Sequence, residues 1–257
     1  VIWTTTPWTL PANLGIALHP EFTYVVGRFE KDGNSDVFVI VRELVETFSA
    51  KTGYVLVETL RQEKGRTFEG LEAQHPLINR TSRVILANFV TTETGTGAVH
   101  IAPGHGADDY VAGMQNKLGL LSPVDDNGNF TEEAEMPELL GKHVFASNEP
   151  IIEMLAAKGL LLGREDYKHS YPHCWRSKIP IIFRAVEQFF ISLDGIRGRA
   201  LEEIDPNIET VGAAGFFGVA PGTSVKTNAS AMAMLRIAAS RPSPQAEISA
   251  ARANSGY

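Results

Sequence analysis

Apolar and polar positions alternate along most of the chain in short segments, and this pattern predicts a protein rich in strands. Residues 22–29 and 37–41 are apolar segments that flank the turn residues 31–34, which predicts a β-hairpin. Apolar residues then recur at helical spacing over residues 44–48. Because Gly53 follows as a C-cap, this segment is predicted to form a short helix.

The same pattern continues towards the C-terminus. Strands are predicted at residues 54–60, 83–90, 181–184 and 189–193, and helices at residues 111–118, 151–157 and 196–204. A strand-rich sequence with short helices predicts an α+β fold.

The composition changes after Pro206. Residues 207–257 are rich in alanine, serine and glycine, poor in charge, and periodic only over a predicted helix at residues 229–239. Such a sequence supports only a weak core, so this tail is predicted to be mobile. The composition therefore divides the chain into a main region up to Pro206 and the tail.

Composition and charge narrow the classes of protein. The chain has 257 residues, 44% of them apolar, which is enough for one large domain or two small ones. Its formal net charge of −7 leaves no general basic surface, so a nucleic acid would be held at a local patch or by other parts of a longer protein. The single cysteine excludes an internal disulfide and suits a reducing cytoplasm, and no apolar run is long enough to span a membrane. Because the chain begins at Val1 without methionine, we interpret it as a fragment.

Residues 1–13, VIWTTTPWTLPAN, combine four threonines and two tryptophans with two prolines. Neither helical nor alternating periodicity fits this segment, and Pro7 and Pro11 disfavour helical backbone at the residues before them. The prediction is a stiff extended ribbon from which the threonine hydroxyls project. The alternative is an edge strand with solvated threonines.

Residues 95–110, GTGAVHIAPGHGADDY, place a short apolar strand between two glycine-rich loops. The glycines let backbone approach a ligand closely, and the second loop delivers Asp108 and Asp109 to the start of a predicted helix. An acidic pair in a first helical turn suits the helix dipole and also a cationic ligand. The alternative is a glycine-rich connection with an ordinary N-cap.

A metal site is one chemistry that these residue types allow. Its ligands would be histidine, aspartate and cysteine side chains, namely His100, His105, Asp108 and Asp109, with His169, His173 and Cys174. Zinc is disfavoured because Pro103 keeps the two loop histidines off one helix face. Calcium at residues 125–130, DDNGNF, is disfavoured because the later ligands and the closing glutamate are missing. No metal is therefore expected.

Two other chemistries compete with a metal site. Cys174 could act as a nucleophile beside a histidine, but nothing except Arg176 and the local setting would lower the pKa of the thiol, so a structural cysteine is favoured. The remaining option is a pocket in which Asp109 receives a cationic group, His100 lines a side-chain cavity, and threonine hydroxyls hold a sugar and a water.

Three segments together resemble a known family. WTTTPWTLPAN at residues 3–13, GTGAVHIAPGHGADDY at residues 95–110 and HSYPHCWRSKIPIIFRA at residues 169–185 closely resemble, in this order, the inserted editing domain of isoleucyl-tRNA synthetase. The resemblance covers roughly residues 1–204. Valyl- and leucyl-tRNA synthetases share the first two segments, whereas His100 and the YPHCWR run are similar to the isoleucine enzyme.

The resemblance implies a fold and a reaction. The fold would be a barrel-like mixed β-sheet with short peripheral helices, formed by residues 1–168, with residues 169–206 leading back towards the synthetic domain. An isoleucine pocket rejects valine weakly because one methylene contributes only about 1–3 kcal/mol, a limit for which this enzyme is itself the established example. The editing site would therefore hydrolyse the ester between valine and the terminal adenosine of tRNA(Ile), or valyl-adenylate.

The resemblance also implies roles for single residues. Asp109 would bind the α-ammonium of the substrate, Asn13 would position a water or the substrate, and His100 would be the wall against which a longer side chain collides. Thr5 and Thr6 would complete the catalytic set with Asp109 and Asn13. No residue is an obvious general base, so catalysis would depend on near-attack geometry, helped by the substrate's own ribose hydroxyl.

The threonine-rich segment would bind the end of the tRNA. Thr4, Thr5 and Thr6 would form the platform for the terminal adenosine, with Trp3 beside the pocket and Thr9 in the same motif. Editing would need no cofactor, whereas the full-length enzyme would use ATP and magnesium. The HIGH-type and KMSKS-type motifs that bind ATP are absent from this sequence, so we expect no ligase activity from the chain alone.

Two positions depart from the family pattern. Ile101 stands where a small polar residue is usual and either narrows the pocket or faces the core, and Ala107 replaces a common proline. The expected partners are the acceptor end of tRNA(Ile) carrying valine and the remainder of the synthetase, in the cytoplasm and without a membrane. The rivals are a valyl-type domain acting on Thr-tRNA and a module that binds a tRNA end without hydrolysis, favoured if Ile101 and the tail disrupt the pocket.

Overall fold

The structure is a computed structural model, which describes residues 1–167, 171–189, 192, 194–197 and 230–235. The chain divides into two compact units. The first comprises residues 1–168, 183–185 and 228–257, and the second comprises residues 169–182 and 186–227.

Strands and short helices follow one another along the first unit. In chain order they are β1 (Ile2–Thr4), β2 (Gly15–Leu18), β3 (Thr23–Lys31), β4 (Asn34–Val41), α1 (Val45–Thr52), β5 (Val55–Lys64), β6 (Glu72–Gln74), β7 (Thr81–Leu86), β8 (Ala98–Ile101), α2 (Ala107–Gln115), α3 (Asn148–Ala157), β9 (Leu161–Tyr167) and β10 (Ser230–Leu235). Single 3₁₀ turns or short 3₁₀ helices occupy Pro7–Ala12, Arg42–Leu44, Gly65–Phe68, Glu132–Ala134, Pro137–Leu139 and Val144–Ser147.

The larger sheet is mixed, and its strands include Trp3, Thr4 and His100 of the candidate site. Its seven strands lie in the order β6-β7-β2-β8-β1-β10-β9. The pairs β1–β8 and β2–β7 are parallel, and the other neighbours are antiparallel. The α+β prediction is confirmed. The barrel-like closure is not, because the edge strands β6 and β9 do not pair with each other within the described residues.

The smaller sheet, in the order β4-β3-β5, contains the predicted hairpin and is packed by aromatic side chains. Phe29 and Phe38 lie with ring centroids 5.5 Å apart, and Phe48 of α1 packs against both of them at 5.5 and 5.7 Å. Tyr54 joins the cluster beside Phe38. Helix α1 ends where predicted, because Gly53 adopts the left-handed conformation (φ 78°) that caps a helix without a Cβ penalty.

The threonine-rich segment is not the predicted ribbon. Extended backbone stops at Thr4, and Pro7–Ala12 forms a buried 3₁₀ helix. The physical reason is that Pro7 stands in its first turn, where proline's fixed φ is suited to a helix and no backbone donor is lost. Thr4 and Thr9 are buried, so the prediction of projecting, solvated hydroxyls is wrong for these two residues.

Several boundaries and elements near the C-terminus also differ. Strand β7 ends at Leu86, before the predicted residue 90. Helix α2 carries Asp108 and Asp109 in its first turn, as predicted, but it ends at Gln115 and not at residue 118. The strand predicted at residues 181–184 is wrong, because residues 181–189 have no regular secondary structure. The strand predicted at 189–193 and the helix predicted at 196–204 lie largely outside the described residues.

A strand replaces part of the helix predicted for the tail. Ser230–Leu235 forms β10, which pairs antiparallel with both β1 and β9. A short run of small and apolar residues fits a helix or a strand equally well, and pairing on both sides supplies partners for its backbone groups. The rest of the tail, and its predicted mobility, lie outside the described residues.

Candidate active site

Strand β8 brings the two predicted motifs together. It pairs with β1 through Trp3 and Val99 and with β2 through Ile16 and His100. The side chains of Thr9 and His100, 91 positions apart in sequence, are thereby in hydrogen-bond contact.

The ring of His100 is buried and held at both nitrogens. It is 8% exposed, with Nε2 at 3.0 Å from Thr9 Oγ1 and Nδ1 at 3.4 Å from Asn13 Nδ2. The amide nitrogen of Asn13 can only donate, so Nδ1 accepts and the ring proton resides on Nε2. Nε2 then donates to Thr9, whose hydroxyl donates to Thr6 O at 2.8 Å.

Asn13 is buried and makes hydrogen bonds within the protein. It is 2% exposed; its Nδ2 also donates to Gly15 O at 2.9 Å, and its Oδ1 accepts a hydrogen bond from Ser82 Oγ. Both ends of the amide are therefore engaged inside the protein, and one of them contacts His100.

Burial keeps two histidines of this region neutral. It lowers the pKa of His100 to about 4, with smaller contributions from the nearby His75 and His105. Burial likewise lowers the pKa of His75 to about 4. His75 Nε2 lies 2.9 Å from Leu10 O, and its Nδ1 accepts hydrogen bonds from the backbone, so the neutral ring supports the end of the 3₁₀ helix that carries Thr9.

Asp109 is a partly buried carboxylate in the first turn of α2. Its Oδ2 accepts a hydrogen bond from Ala102 N at 3.1 Å, and no ion pair to it is found among the described residues. Burial raises the pKa of Asp109 to about 6. The hydrogen bond from Ala102 acts to lower this pKa, and the nearby charge of Asp108 acts to raise it. A Cβ at Gly106 would lie 3.0 Å from the Asp109 carboxyl carbon, so this glycine leaves room for the carboxyl group.

The threonines form a turn beside β8. Thr6 N donates to Thr4 Oγ1 at 3.0 Å, and the hydroxyls of the half-buried Thr5 and Thr6 lie 3.4 Å apart. Gly95, in the left-handed conformation (φ 85°), approaches the ring of Trp3 so closely that a Cβ would lie 3.3 Å from it. No hydrogen bond within the described part of the chain joins Thr5 or Thr6 to Asp109.

Ile101 faces the core. It is 0% exposed and packs in a cluster with Ala17, Ile85, Val90 and Ala112. The alternative that Ile101 narrows the pocket is therefore not supported. Ala107 is exposed at the start of α2.

Ser82 and His75 were not recognised from the sequence. Along β7, buried and exposed side chains alternate, and Ser82 lies on the buried side with Val84. A polar residue at an inward position of a strand was the available signal for Ser82. His75 comes from the turn between β6 and β7 and carried no comparable signal.

The loop that precedes α2 is held by a distant segment of the same unit. Ala185 N donates to Gly104 O at 2.8 Å, and His105 Nδ1 donates to Phe183 O at 2.9 Å. Arg184 contacts Val124 O and pairs with Asp126. His105 is thus used in packing, with its ring edge-on to Trp8 at 5.0 Å.

The metal hypothesis gains no support from the described residues. None of these residues form a group of three or more histidine, cysteine or acidic side chains able to hold a metal, and His169 lies outside them. His173 donates to Tyr171 O at 2.8 Å. The thiol pKa of Cys174 is lowered to about 7, first by hydrogen bonds from Ser177 and then by the backbone and charge of Arg176, which agrees with a contribution from Arg176 and the local setting.

Comparisons with known proteins agree with this geometry. Residues 35–149 match the family described as "Leucyl-tRNA synthetase, editing domain". Isoleucine–tRNA ligase of Persephonella marina is 51% identical over 213 residues, covering 80% of this chain and 22% of that protein. The same enzyme of Thermotoga neapolitana is 53% identical over 209 residues, with the same coverage. The chain therefore spans about a fifth of the length of these relatives.

A solved structure, "The crystal structure of GlLeuRS-CP1", shows the same fold with a TM-score of 0.50 at 14% identity, over 61% of this chain and 76% of that chain. The fold is that of a tRNA-synthetase editing domain, and the family match over residues 35–149 agrees with it. Among the synthetases, the chain is similar in sequence to isoleucine–tRNA ligases over 80% of its length. None of the described helices combines the length and apolarity needed to cross a membrane.

Proposed function

We propose that this domain hydrolyses the ester of valine mischarged to tRNA(Ile), bound through the acceptor end of the tRNA. The observation that carries the proposal is Asp109, a half-buried carboxylate without a cationic partner in the described chain, which lies in the helix that follows the strand of His100. The ionised form of a partly buried carboxylate is stabilised strongly when an ammonium group binds to it. The remainder of the synthetase and a cytoplasmic location belong to the same proposal.

Asp109 would bind the α-ammonium group of the aminoacyl ester. Because burial raises its pKa to about 6, the bound ammonium also favours the ionised form of the carboxylate. The backbone N–H of Ala102 keeps the carboxylate in place by donating to Oδ2, and it leaves Oδ1 for the substrate. Binding at this point fixes the ester relative to the strand that carries His100.

The surface of His100 favours an apolar side chain over threonine. Both ring nitrogens are already engaged, with Thr9 and with Asn13, so the ring can offer a ligand only its carbon atoms. A threonine side chain would therefore find no hydrogen-bond partner on this ring, and its hydroxyl would be desolvated without compensation. This contrast supports the isoleucyl type of editing over the valyl type.

The hydroxyls of Thr5 and Thr6 would hold the terminal adenosine and the attacking water. Both side chains are half-buried, and their hydroxyls lie close together at the end of β1. Catalysis would rest on positioning, since the buried His75 and His100 are neutral and hydrogen-bonded and the aspartate is engaged with the ammonium. The alternative of a binding module without hydrolysis loses one of its arguments, because Ile101 lies in the core.

A deacylation assay tests the proposal. The protein is mixed with Val-tRNA and Ile-tRNA carrying the isoleucine anticodon, and with Thr-tRNA carrying the valine anticodon. We expect hydrolysis of Val-tRNA only. Asp109→Asn, which keeps the acceptor for Ala102 N, should slow it at least about tenfold, since a charged hydrogen bond contributes roughly 1.5–3 kcal/mol.

Asp108→Asn is the matched control, because Asp108 is the exposed neighbour on the same helix turn. Its rate should stay near that of the parent. Failure of the parent to hydrolyse Val-tRNA, or an equal loss in both variants, would contradict the proposal.

A further inference from the structure

We propose that Ser82, acting through Asn13, fixes the ring of His100 and is thereby a positioning residue for the exclusion of isoleucine. The consequence for isoleucine rests on the proposed function, whereas the fixing of the ring does not. Ser82 lies on β7, outside all three sequence motifs, and β7, β2 and β8 are neighbours in the larger sheet.

The hydrogen bonds around His100 form a chain with one direction. Ser82 Oγ donates to Asn13 Oδ1, and Asn13 Nδ2 donates to Gly15 O and to His100 Nδ1. The chain continues from His100 Nε2 to Thr9 Oγ1 and from Thr9 Oγ1 to Thr6 O. Each donor is used, and each step fixes the position of the next proton.

Ser82 and Gly15 together select the orientation of the Asn13 amide. A flipped amide would place its oxygen against the carbonyl oxygen of Gly15, which has no proton to share. It would also place the NH₂ group against Ser82; the serine oxygen could accept from that group, but the serine hydroxyl proton would lose the acceptor it has in Asn13 Oδ1. Both residues therefore favour the orientation in which the NH₂ group faces His100.

Burial makes the arrangement sensitive to the loss of one member. Ser82 is 0% exposed and Asn13 is nearly as buried. Water cannot readily replace a missing donor at such a position, so removal of the Ser82 hydroxyl leaves Asn13 Oδ1 without a partner. The free-energy difference between the two orientations of the Asn13 amide then becomes smaller.

The orientation of the amide decides what His100 presents to a ligand. If the amide oxygen faced Nδ1, the ring proton would move to Nδ1, and Nε2 would become an acceptor for the Thr9 hydroxyl. Thr9 would then release Thr6 O. The ring would be held by a different set of contacts, and the wall that excludes a longer side chain would no longer be fixed.

Two measurements on Ser82→Ala test the inference. The first is the ¹⁵N chemical shift of the His100 ring, which reports the tautomer independently of activity. We expect a single Nε2–H form in the parent and a mixture of tautomers in the variant. The second is deacylation: hydrolysis of Ile-tRNA relative to Val-tRNA should rise about threefold to tenfold, the range that corresponds to one lost hydrogen bond.

Ser147→Ala is the matched control. Ser147 is as buried as Ser82, and its Oγ makes one hydrogen bond, to His143 O at 3.0 Å, that is not part of the chain of contacts to His100. It should change neither the tautomer nor the ratio of the two activities. Ser82→Cys, which keeps the volume and a weak donor, is the second variant if Ser82→Ala fails to fold, and its changes should be smaller in the same direction.

The outcomes separate the inference from the proposed function. An unchanged tautomer in both Ser82 variants would overturn the inference, as would an equal change of the activity ratio in Ser147→Ala. If the parent hydrolyses neither substrate, the proposed function fails, and the ring measurement still decides whether Ser82 positions His100. A shifted tautomer with an unchanged activity ratio in an active protein would refute the link to isoleucine exclusion.

Discussion

The two sheets of the first unit bury their side chains in different ways. The three-stranded sheet and α1 enclose an aromatic cluster of Phe29, Phe38, Phe48 and Tyr54. Between β7, β2 and β8 of the larger sheet, the buried side chains include the hydrogen-bonded series of Ser82, Asn13 and His100. The first region gains its stability from apolar area, and the second requires that every polar group find its partner.

This contrast indicates which kind of region is suited to discriminate between similar substrate side chains. Aromatic packing tolerates exchange among apolar side chains of similar volume. A series of directed hydrogen bonds tolerates little change, because each donor depends on the next acceptor. A wall that must distinguish side chains differing by one methylene is therefore better placed in the second kind of region.

The largest expected effect separates stability from specificity. Phe48→Ala should lower the free energy of unfolding by about 3–5 kcal/mol, because it removes a fully buried aromatic side chain and leaves a cavity. The ratio of Val-tRNA to Ile-tRNA hydrolysis should not change where the variant is folded. Urea unfolding and the deacylation assay check both points.

Val57→Ala is the control in the same sheet, because Val57 is exposed on β5, and its loss should stay within about 0.5 kcal/mol. A changed ratio of the two activities in Phe48→Ala would contradict this contrast between the two sheets, since the aromatic region would then influence the position of the His100 ring.

The next largest effect is the decrease in the free energy of unfolding that the buried Asp109 carboxylate causes. Its pKa rises from 3.8 to about 6 on folding, so the folded chain binds a proton more readily than the unfolded chain. Stability is therefore lost as the pH rises from about 4 to about 6. Asp109→Asn should unfold with a free energy roughly 2 kcal/mol higher than the parent at pH 7.5, and the difference should vanish near pH 4.

Denaturant unfolding at several pH values measures this difference. Asp108→Asn, at the exposed neighbour, should show no such pH dependence. A parent that is as stable as Asp109→Asn at pH 7.5 would mean that burial does not disfavour the Asp109 carboxylate.

A smaller effect is expected at His100 and appears in selectivity. His100→Ala should enlarge the pocket by removing the ring, so that hydrolysis of Ile-tRNA rises by about tenfold or more, as one methylene in a pocket discriminates by about 1–3 kcal/mol. Hydrolysis of Val-tRNA should persist. Rates on both substrates and the melting temperature are measured together.

His75→Ala is the matched control, because His75 is equally buried, has a pKa lowered to the same value, and bonds to backbone groups. It should lose stability without gaining activity on Ile-tRNA. If His100→Ala behaves in the same way as His75→Ala, the ring of His100 is a structural element and not a size filter.

The smallest expected effect is that of removing metal. A zinc-selective chelator, added with magnesium in excess to keep the tRNA folded, should leave the rate of Val-tRNA hydrolysis unchanged, and the purified protein should contain no stoichiometric zinc. One zinc per chain, with activity lost on its removal, would contradict the metal-free interpretation.

Local sequence signals predicted the elements that depend on local interactions. The hairpin of β3 and β4 and the helix α1 with Gly53 follow from turn residues, spacing and a cap, and all were predicted. The 3₁₀ helix Pro7–Ala12 was missed because prolines exclude only some helical positions. Strand β10 was missed because a strand is defined by the strands that pair with it.

The site could be predicted only in part. His100, Thr9 and Asp109 lie in unusual glycine- and threonine-rich segments, so the sequence pointed to them. The contact between Asn13 and Ser82 joins residues 69 positions apart, and no local pattern encodes such a pairing. The contacts of Asn13 with Ser82 and His100 were therefore not foreseen, and its role in positioning a water or the substrate stays a prediction.

The hydrogen bonds that hold the loop before α2 can form only late during synthesis of the chain. A ribosome extends the chain from its N-terminus, so Gly104 and Asp109 leave it well before the segment at Phe183–Ala185. The bonds from Ala185 to Gly104 and from His105 to Phe183 can form only after that segment has emerged. Contacts between such distant residues form slowly because a long loop must close first. During synthesis, the nascent chain therefore carries its threonine turn and its acidic helix start for many residues before the loop between β8 and α2 is secured.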